Sequence, residues 1–403
     1  MKPRLLLALP QLPQDPSSGA ARSARTAAEF ARQSGFDVRS IATTATERGQ
    51  KTGAAPYLKS MGLDPRSSRV PGSIFRTLDY THNGIHYSVL DTGTLQAHNW
   101  QKTHGRQFDK MFDYELQTFE PHIVLTYGGL PGDVARIRRA RMKHCRIAFC
   151  LYNLGYFSSG HLLGELDAVI TPSEFLAKKY RDAIGLNSTP LPDPIDPEDV
   201  IAPERDPIFV TMVNPSIEKG LFFFARLAEE LGKREPKIAV LAIESRGTAG
   251  MVVGAGAAGG FDLRRHASIM IAGSVPKPRD IYTNTRVLLA PSVIEEASGR
   301  VVSEALVNGV VPIVSDRGGL AEMCRGAGFV LPLPADLTLA TRKPPTAEAV
   351  EPWVEVIRKL AFDPEFYAGA VAKVRDAAIE CSAENMAKKY AEFFEKLITV
   401  GPQ

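Results

Sequence analysis

The chain has no apolar run near the ~20 residues that a membrane-crossing helix needs, so no span is expected. The opening MKPRLLLALPQLP starts like a signal peptide, but its apolar core is too short and Pro10 interrupts it, which predicts a buried first strand instead. Cysteine is scarce. Cys145, Cys150, Cys324 and Cys381 show no paired metal-ligand spacing and no disulfide framework, and they predict reduced thiols in a cytoplasmic protein. A surplus of one charge is also missing. Lys and Arg total 48 against 45 Asp and Glu, and the net +3 is too small to argue for a nucleic-acid partner. No paired-Asp motif is placed for phosphate binding, so no metal and no other cofactor is expected.

What is present is a globular composition, 44% hydrophobic and 23% charged, over 403 residues, enough for two domains. The stretch from Pro291 to Glu322, PSVIEEASGRVVSEALVNGVVPIVSDRGGLAE, organises the rest. RVLLA before it is a short apolar run, a buried strand. Apolar residues at 301, 302, 305 and 306 have the spacing of one helix face, and Gly309 stops the helix. VVPIV is a second buried strand. This is a strand–helix–strand unit of a parallel sheet, and ligands in such sheets bind beyond the carboxyl ends of the strands. There the backbone at Gly299 can approach a ligand closely, and the first helical turn presents free N–H groups to an anion. Glu296 and Glu304 flank the same place. A carboxylate beside a phosphate is unfavourable unless it accepts hydrogen bonds from something else, and sugar hydroxyls are natural donors. The stretch reads as a site for a nucleotide sugar. Either Glu alone is more plainly a solvated acid near a helix start; the ordered combination carries the reading.

This stretch resembles the donor-site signature of family 4 retaining glycosyltransferases, which have the GT-B fold and two Glu residues in the spacing of Glu296 and Glu304. The resemblance implies that Glu296 and the backbone Ala297–Gly299 hold the donor sugar and its diphosphate, with Ser298 where the family usually has an aromatic residue. It implies that Glu304 holds the ribose hydroxyls.

Taken in order, RLLLALP is a strand, PQDPSSGAARSA a loop into a helix, and FDVRSIATT the next strand. Gly19 sits where GT-B enzymes place a small-residue loop facing the cleft between domains. Residues 47–73 read as helix and loop. In RTLDYTHNGIHYSVLD, Asn83-Gly84 predicts a hairpin. Phe108, Met111, Phe112, Leu116 and Phe119 have helical core spacing. The helix ARIRRARMKHCR is strongly basic. A solvated face is the plain reading, and contact with an anionic acceptor or a membrane surface is the sharper one. RIAFCLYN is a strand that, in the family, ends in a His contacting the donor sugar. Here Tyr152-Asn153 stands there, two hydrogen-bonding residues in place of a proton donor; the nearby His161 is more plainly a surface residue. LPDPIDPEDVIAPERDP reads as an interdomain linker. In NPSIEKG, Lys219 can neutralise a diphosphate oxygen. The family pairs this Lys with an Arg, and Asn214 occupies that place. Gly254, Gly256 and Gly259 make a poor dinucleotide fingerprint and read as a flexible loop or linker. Gly273 and Val275 follow a strand and, by the resemblance, lie against the base. Met386, Tyr390, Phe393, Phe394 and Leu397 line one face of a terminal helix.

The expected architecture is α/β, GT-B: two doubly wound Rossmann-like domains facing across a cleft. Residues 1–195 would hold the acceptor and 206–380 the donor, with the terminal helix, 381–403, packing back on the first domain. The expected function is metal-independent, retaining transfer of a sugar from a nucleotide sugar to a hydroxyl of a saccharide, lipid or small molecule. Lys219 and Glu296 are the expected catalytic residues. An enzyme that cleaves or remakes a nucleotide sugar or activated disaccharide, and a nucleotide-sugar-binding protein with weak or lost turnover, are the alternatives; a nucleotide-binding oxidoreductase rests on the Gly254 loop alone.

Overall fold

A computed structural model of the chain describes residues 2–70 and 72–399. Two compact units result. Among the described residues the first takes in the chain up to Pro172, Ala177–Pro194 and the stretch from Met386 on; the second is Ser173–Leu176 with Ile195–Asn385.

The first unit is built on a nine-stranded sheet. Its strands are β1 (Arg4–Ala8), β2 (Asp37–Thr43), β3 (Arg66–Arg69), β4 (Arg76–His82), β5 (Ile85–Leu90), β6 (Ile123–Thr126), β7 (Arg146–Cys150), β8 (Ala168–Thr171) and β9 (Thr189–Pro190). They lie in the order β3-β4-β5-β2-β1-β6-β7-β8-β9. β1 is central, and Leu5, Leu6 and Leu7 are all fully buried, as a parallel strand covered on both faces requires. The sheet is parallel except where β4 meets β3 and β5. The β4–β5 turn has Asn83 at φ +49° and Gly84 at φ +73°, both left-handed, which matches the strand twist of a tight hairpin.

Phe108, Met111, Phe112, Leu116 and Phe119 are buried as their spacing predicts. The basic helix runs Pro131–Met142. Its arginines are paired: Arg136 with Asp109 and Asp133, Arg138 with Glu165, Arg139 with Asp109 and Asp113. Arg136 is buried in its pairs, while Arg138 and Arg141 stay on the exposed face that the plain reading expects. The terminal helix Ala383–Thr399 buries Met386, Tyr390 and Phe394. The Phe30 and Tyr390 rings lie 6.1 Å apart, as do Phe36 and Phe394.

The second unit is a six-stranded parallel sheet of β10 (Phe209–Val213), β11 (Val240–Ile243), β12 (Ile269–Ala272), β13 (Thr285–Ala290), β14 (Val311–Ser315) and β15 (Phe329–Leu331). The order is β12-β11-β10-β13-β14-β15. β10 therefore has its sequence neighbour β11 on one side and β13 on the other. The order of strand addition reverses there, and the crevice of a doubly wound sheet opens beyond these strand ends. The helices Leu221–Arg234 and Arg300–Val307 follow β10 and β13.

Three stretches differ from expectation. Residues 47–73 contain a strand, β3, besides the helix Ala54–Ser60. The Gly254 stretch is the helix Ala249–Ala258, not a flexible loop. Thr248 Oγ1 accepts from Met251 N and the Glu244 carboxylate accepts from Ala249 N, so two side chains cap it, while Val252 and Ala255 bury its inner face. The Pro- and Asp-rich stretch does hold the boundary between the units, at Pro194 and Ile195, but Ile195 and Val200 are core residues of the second unit, and Asp196 caps the short helix Pro197–Val200. Most of that stretch is packed structure.

All four cysteines are buried free thiols. Burial pushes Cys150 and Cys324 up to about 12 and Cys145 up to about 11. Thiolate is the reactive form, so raising the pH through 8 should not expose a nucleophile. At pH 8 a thiol reagent should modify none of the four in the native chain within minutes and all four in guanidinium. Rapid native modification of any one would contradict this packing.

Candidate active site

The carboxyl ends of β10 and β13 bring together residues 77 positions apart. Lys219 Nζ lies 2.5 Å from Glu296 Oε1, and Ser292 Oγ donates to the same oxygen at 2.5 Å. The two side chains are 27% and 12% exposed, so the pair is open to a ligand from one side.

Backbone contact explains how the loops reach this position. Gly220 sits at φ +89°, and a Cβ there would clash with the carbonyl oxygen of Pro291. Val293 N donates to Glu218 O at 2.9 Å. On the other side, Glu296 pairs in parallel with Gly318, and Gly319 N donates to Glu296 O at 2.8 Å. A Cβ on Gly318, at φ +73°, would strike the Glu296 backbone. Arg317 completes the brace by donating to Val293 O at 2.6 Å and to two carbonyls downstream. The loop 291–299 is thus held by main-chain contacts, with Ser292, Val293 and Ser298 buried and Glu296 partly open.

Gly220 and Gly299 are the N-caps of the helices that follow, and neither supplies a side-chain cap. Two helix starts therefore converge with amides that no cap residue satisfies, each carrying partial positive charge. Such a place favours an anion.

Glu304 is 4% exposed and lies one turn into its helix. Arg300 Nε donates to its Oε1 at 2.8 Å and Tyr282 Oη to its Oε2 at 3.0 Å. These two partners hold the carboxylate in one orientation. Ser298 is buried, and Ala297 and Gly299 are half-buried. Gly273 and Val275 follow β12 at the edge of the same sheet, with Gly273 exposed and open space where a Cβ would stand. Asn214 adopts φ +61°, and its Oδ1 accepts from Gly247 N at 2.8 Å. Its side chain is a strut to the loop after β11.

Tyr152, Asn153 and Gly19 lie in the first unit. The Tyr152 hydroxyl is turned inward. Burial, followed by the neighbouring Cys150, Tyr390 and Asp193, holds its pKa well above the ordinary value. A hydroxyl placed there does not reach solvent. Asn153 is exposed and its Oδ1 accepts from Gly155 N at 2.8 Å. Gly19 opens the helix Gly19–Gln33, capped by Ser18, and so is a helix residue, not a loop residue. His161 is exposed in the short helix Gly160–Leu163.

Tyr282 and Arg300 escaped sequence reasoning. Tyr282 lies in an undistinguished stretch, PRDIYTN, and only its position reveals it. Arg300 stands four residues before Glu304, a spacing that could have signalled the pair.

Residues 207–343, about a third of the chain and all within the second unit, match the family model of glycosyl transferases group 1. On that match the second unit carries a glycosyl transferases group 1 domain. Among curated proteins none matches it. Among solved structures the chain is similar to sucrose-phosphate synthase from Thermosynechococcus elongatus, at 14% identity and TM-score 0.68 with 100% of each chain covered. It is also similar to the catalytic domain of starch synthase IV from Arabidopsis thaliana bound to ADP and acarbose, at 12% identity and TM-score 0.68, with 99% of this chain and 100% of that one covered. A third is the pneumococcal O-GlcNAc transferase GtfA in complex with UDP and GlcNAc, at 12% identity and TM-score 0.66 over 99% and 100%. These likenesses give the chain the GT-B fold.

Gly220→Ala should destabilise the second unit by roughly 2–4 kcal/mol, since the residue must leave the left-handed region or displace Pro291. Chemical denaturation of the full chain would read this. A loss under about 0.5 kcal/mol would mean the two loops are not in backbone contact.

Proposed function

We propose that the chain transfers a sugar from a nucleotide sugar to a hydroxyl of a saccharide, lipid or small-molecule acceptor in the cytoplasm, with retention at the anomeric carbon and without a metal. The observation that carries this reading is the Lys219–Glu296 pair set between two helix starts at the point where the strand order of the second sheet reverses. A diphosphate entering there offers Lys219 more negative charge than one carboxylate does, and the helix N-termini add to its hold. Glu296, released from Lys219, then accepts hydrogen bonds from sugar hydroxyls. Glu304, fixed by Arg300 and Tyr282, keeps lone pairs for the ribose hydroxyls.

In the reaction the bond between the sugar C1 and the diphosphate oxygen breaks, and a bond from C1 to the acceptor oxygen forms. The acceptor proton goes to the departing phosphate oxygen. Lys219 and the amides at Gly299 stabilise the charge that develops on the leaving group, where such stabilisation lowers the barrier most. Retention follows the resemblance to family 4, as does the absence of a covalent nucleophile. The positive charge that a metal would otherwise bring is supplied by Lys219 and the helix dipoles. The similar structures carrying ADP, or UDP with GlcNAc, support a nucleoside-diphosphate donor. Membrane contact through the helix Pro131–Met142 has no place in the proposal, because its arginines are held by acids of the same unit.

A second reading, a nucleotide-sugar binder with little turnover, is favoured by Asn214 and by the inward Tyr152 hydroxyl.

A thermal-shift screen of nucleotide sugars, with EDTA and then with magnesium, tests the proposal. One donor at about 100 times its Kd should add about 2.7 kcal/mol, a rise of several degrees, equal in EDTA and magnesium. Lys219→Ala and Glu304→Ala should each abolish the rise. Product of unchanged anomeric configuration by proton NMR would establish retention. A shift without any hydrolysis or transfer would favour the binder, and no shift with any donor would sink the site.

A further inference from the structure

The loop after β11 carries a cation that the proposed diphosphate site otherwise lacks. Three features place it. Gly247 N donates to Asn214 Oδ1 at 2.8 Å, and Asn214 N donates to Ile243 O at 2.9 Å, so Asn214 grips the end of β11 on both sides. A Cβ on Gly247 would clash with the Pro215 backbone and stand 2.6 Å from Ser216 N. The loop 244–247 therefore lies with its backbone pressed on the loop 214–220 that carries Lys219. Arg246, next to Gly247, is exposed.

The charges around these loops make Arg246 distinct. Lys219 holds Glu296 at 2.5 Å, and Arg300 holds Glu304 at 2.8 Å. Among the described residues Arg246 is in no ion pair with a carboxylate. An acid on which its charge acts is Glu218, one residue before Lys219. Burial raises the Glu218 carboxyl, but its own backbone N–H, Ser216 and the charges of Arg246 and Lys219 together bring it below the ordinary carboxylate value. Both cations thus act on one acid, Arg246 from β11's loop and Lys219 from β10's. Without Arg246 the named groups are two cations against three carboxylates, a poor setting for a diphosphate.

We propose that Arg246 is the second diphosphate-binding cation of this site, positioned by the grip of Asn214 on Gly247. The side chain at 214 is then a strut in place of a ligand, and the charge comes from the neighbouring strand's loop. This rests on the donor-site reading above. Arg246 would make charge-assisted contact with phosphate oxygens and none with base or ribose, so its contribution should track phosphate charge.

The test is isothermal titration of the full chain with ADP, GDP and UDP, and with adenosine, guanosine and uridine. It is run on the unaltered chain and on Arg246→Lys, Arg246→Gln and Arg246→Glu. Because the side chain is exposed, all four should melt together. For whichever diphosphate binds, Arg246→Lys should stay within about threefold, Arg246→Gln should weaken Kd by about tenfold, and Arg246→Glu more. The matching nucleoside should bind all four alike. The loss for Arg246→Gln should shrink as salt is raised from 50 to 500 mM, buffer conditions at which screening lengths fall to a few ångströms. Diphosphate affinity indifferent to the residue at 246 would overturn this assignment alone. No diphosphate binding by the unaltered chain would overturn the donor-site reading and this assignment with it.

Discussion

Main-chain contact between loops is the constraint on which the second unit's site depends. Pro291 lies on Gly220 and Glu296 on Gly318, each at a distance that admits no side-chain carbon. Glycine at these points costs conformational entropy in the unfolded chain. What it provides is a loop, 291–299, whose course is set by its backbone. Ser292, Glu296 and Ser298 are then positioned by atoms every residue has, and their side chains remain available for chemistry. Hydrogen bonds from Gly319 N and Arg317 lock the same path.

The ion pair that results is not well explained as a stabilising device. Removing two charges from water costs as much as their attraction returns in many partly buried pairs. Lys219 and Glu296 sit at strand ends, partly open, beside helix starts that already favour an anion. An arrangement of this kind is poised for exchange: a ligand with phosphates and hydroxyls satisfies both partners at once, each with the chemistry it prefers. Glu304 shows a different solution. It is almost fully buried, and Arg300 and Tyr282 fix it in place without ligand.

How much of this was legible in the sequence varies by element. β1 and the strands around residue 300 were readable because a parallel strand buried on both faces must be apolar throughout. The helix after Gly299 showed its face at 301, 302, 305 and 306, and the β4–β5 turn was written in Asn83-Gly84. β3 was not readable: RSSR is exposed at all four positions and carries no alternation. The helix Ala249–Ala258 was hidden because alanine and glycine give no apolar stripe. Its evidence lay in Glu244 and Thr248, whose capping roles depend on where the chain turns. At the site, Lys219 and Glu296 stood out by residue type and by resemblance, and the fold brings them within bonding distance. The inward turn of the Tyr152 hydroxyl had no signal, since a strand-end tyrosine can face either way. Tyr282 likewise becomes visible only through Glu304, 22 residues on.

The terminal helix has a consequence for the order in which this chain can mature. Phe30 lies in the helix Gly19–Gln33 and Phe36 just before β2, yet their aromatic partners Tyr390 and Phe394 follow the whole of the stretch Ile195–Asn385. During synthesis the second unit, from Ile195 to Asn385, is complete while the first still shows an uncovered apolar face. At ribosomal speeds of about 5–20 residues per second, the ~190 intervening residues leave that face open for roughly ten seconds or more. Of these two units, the one that begins first is therefore the one that finishes last, and it is the one that a holding chaperone would find.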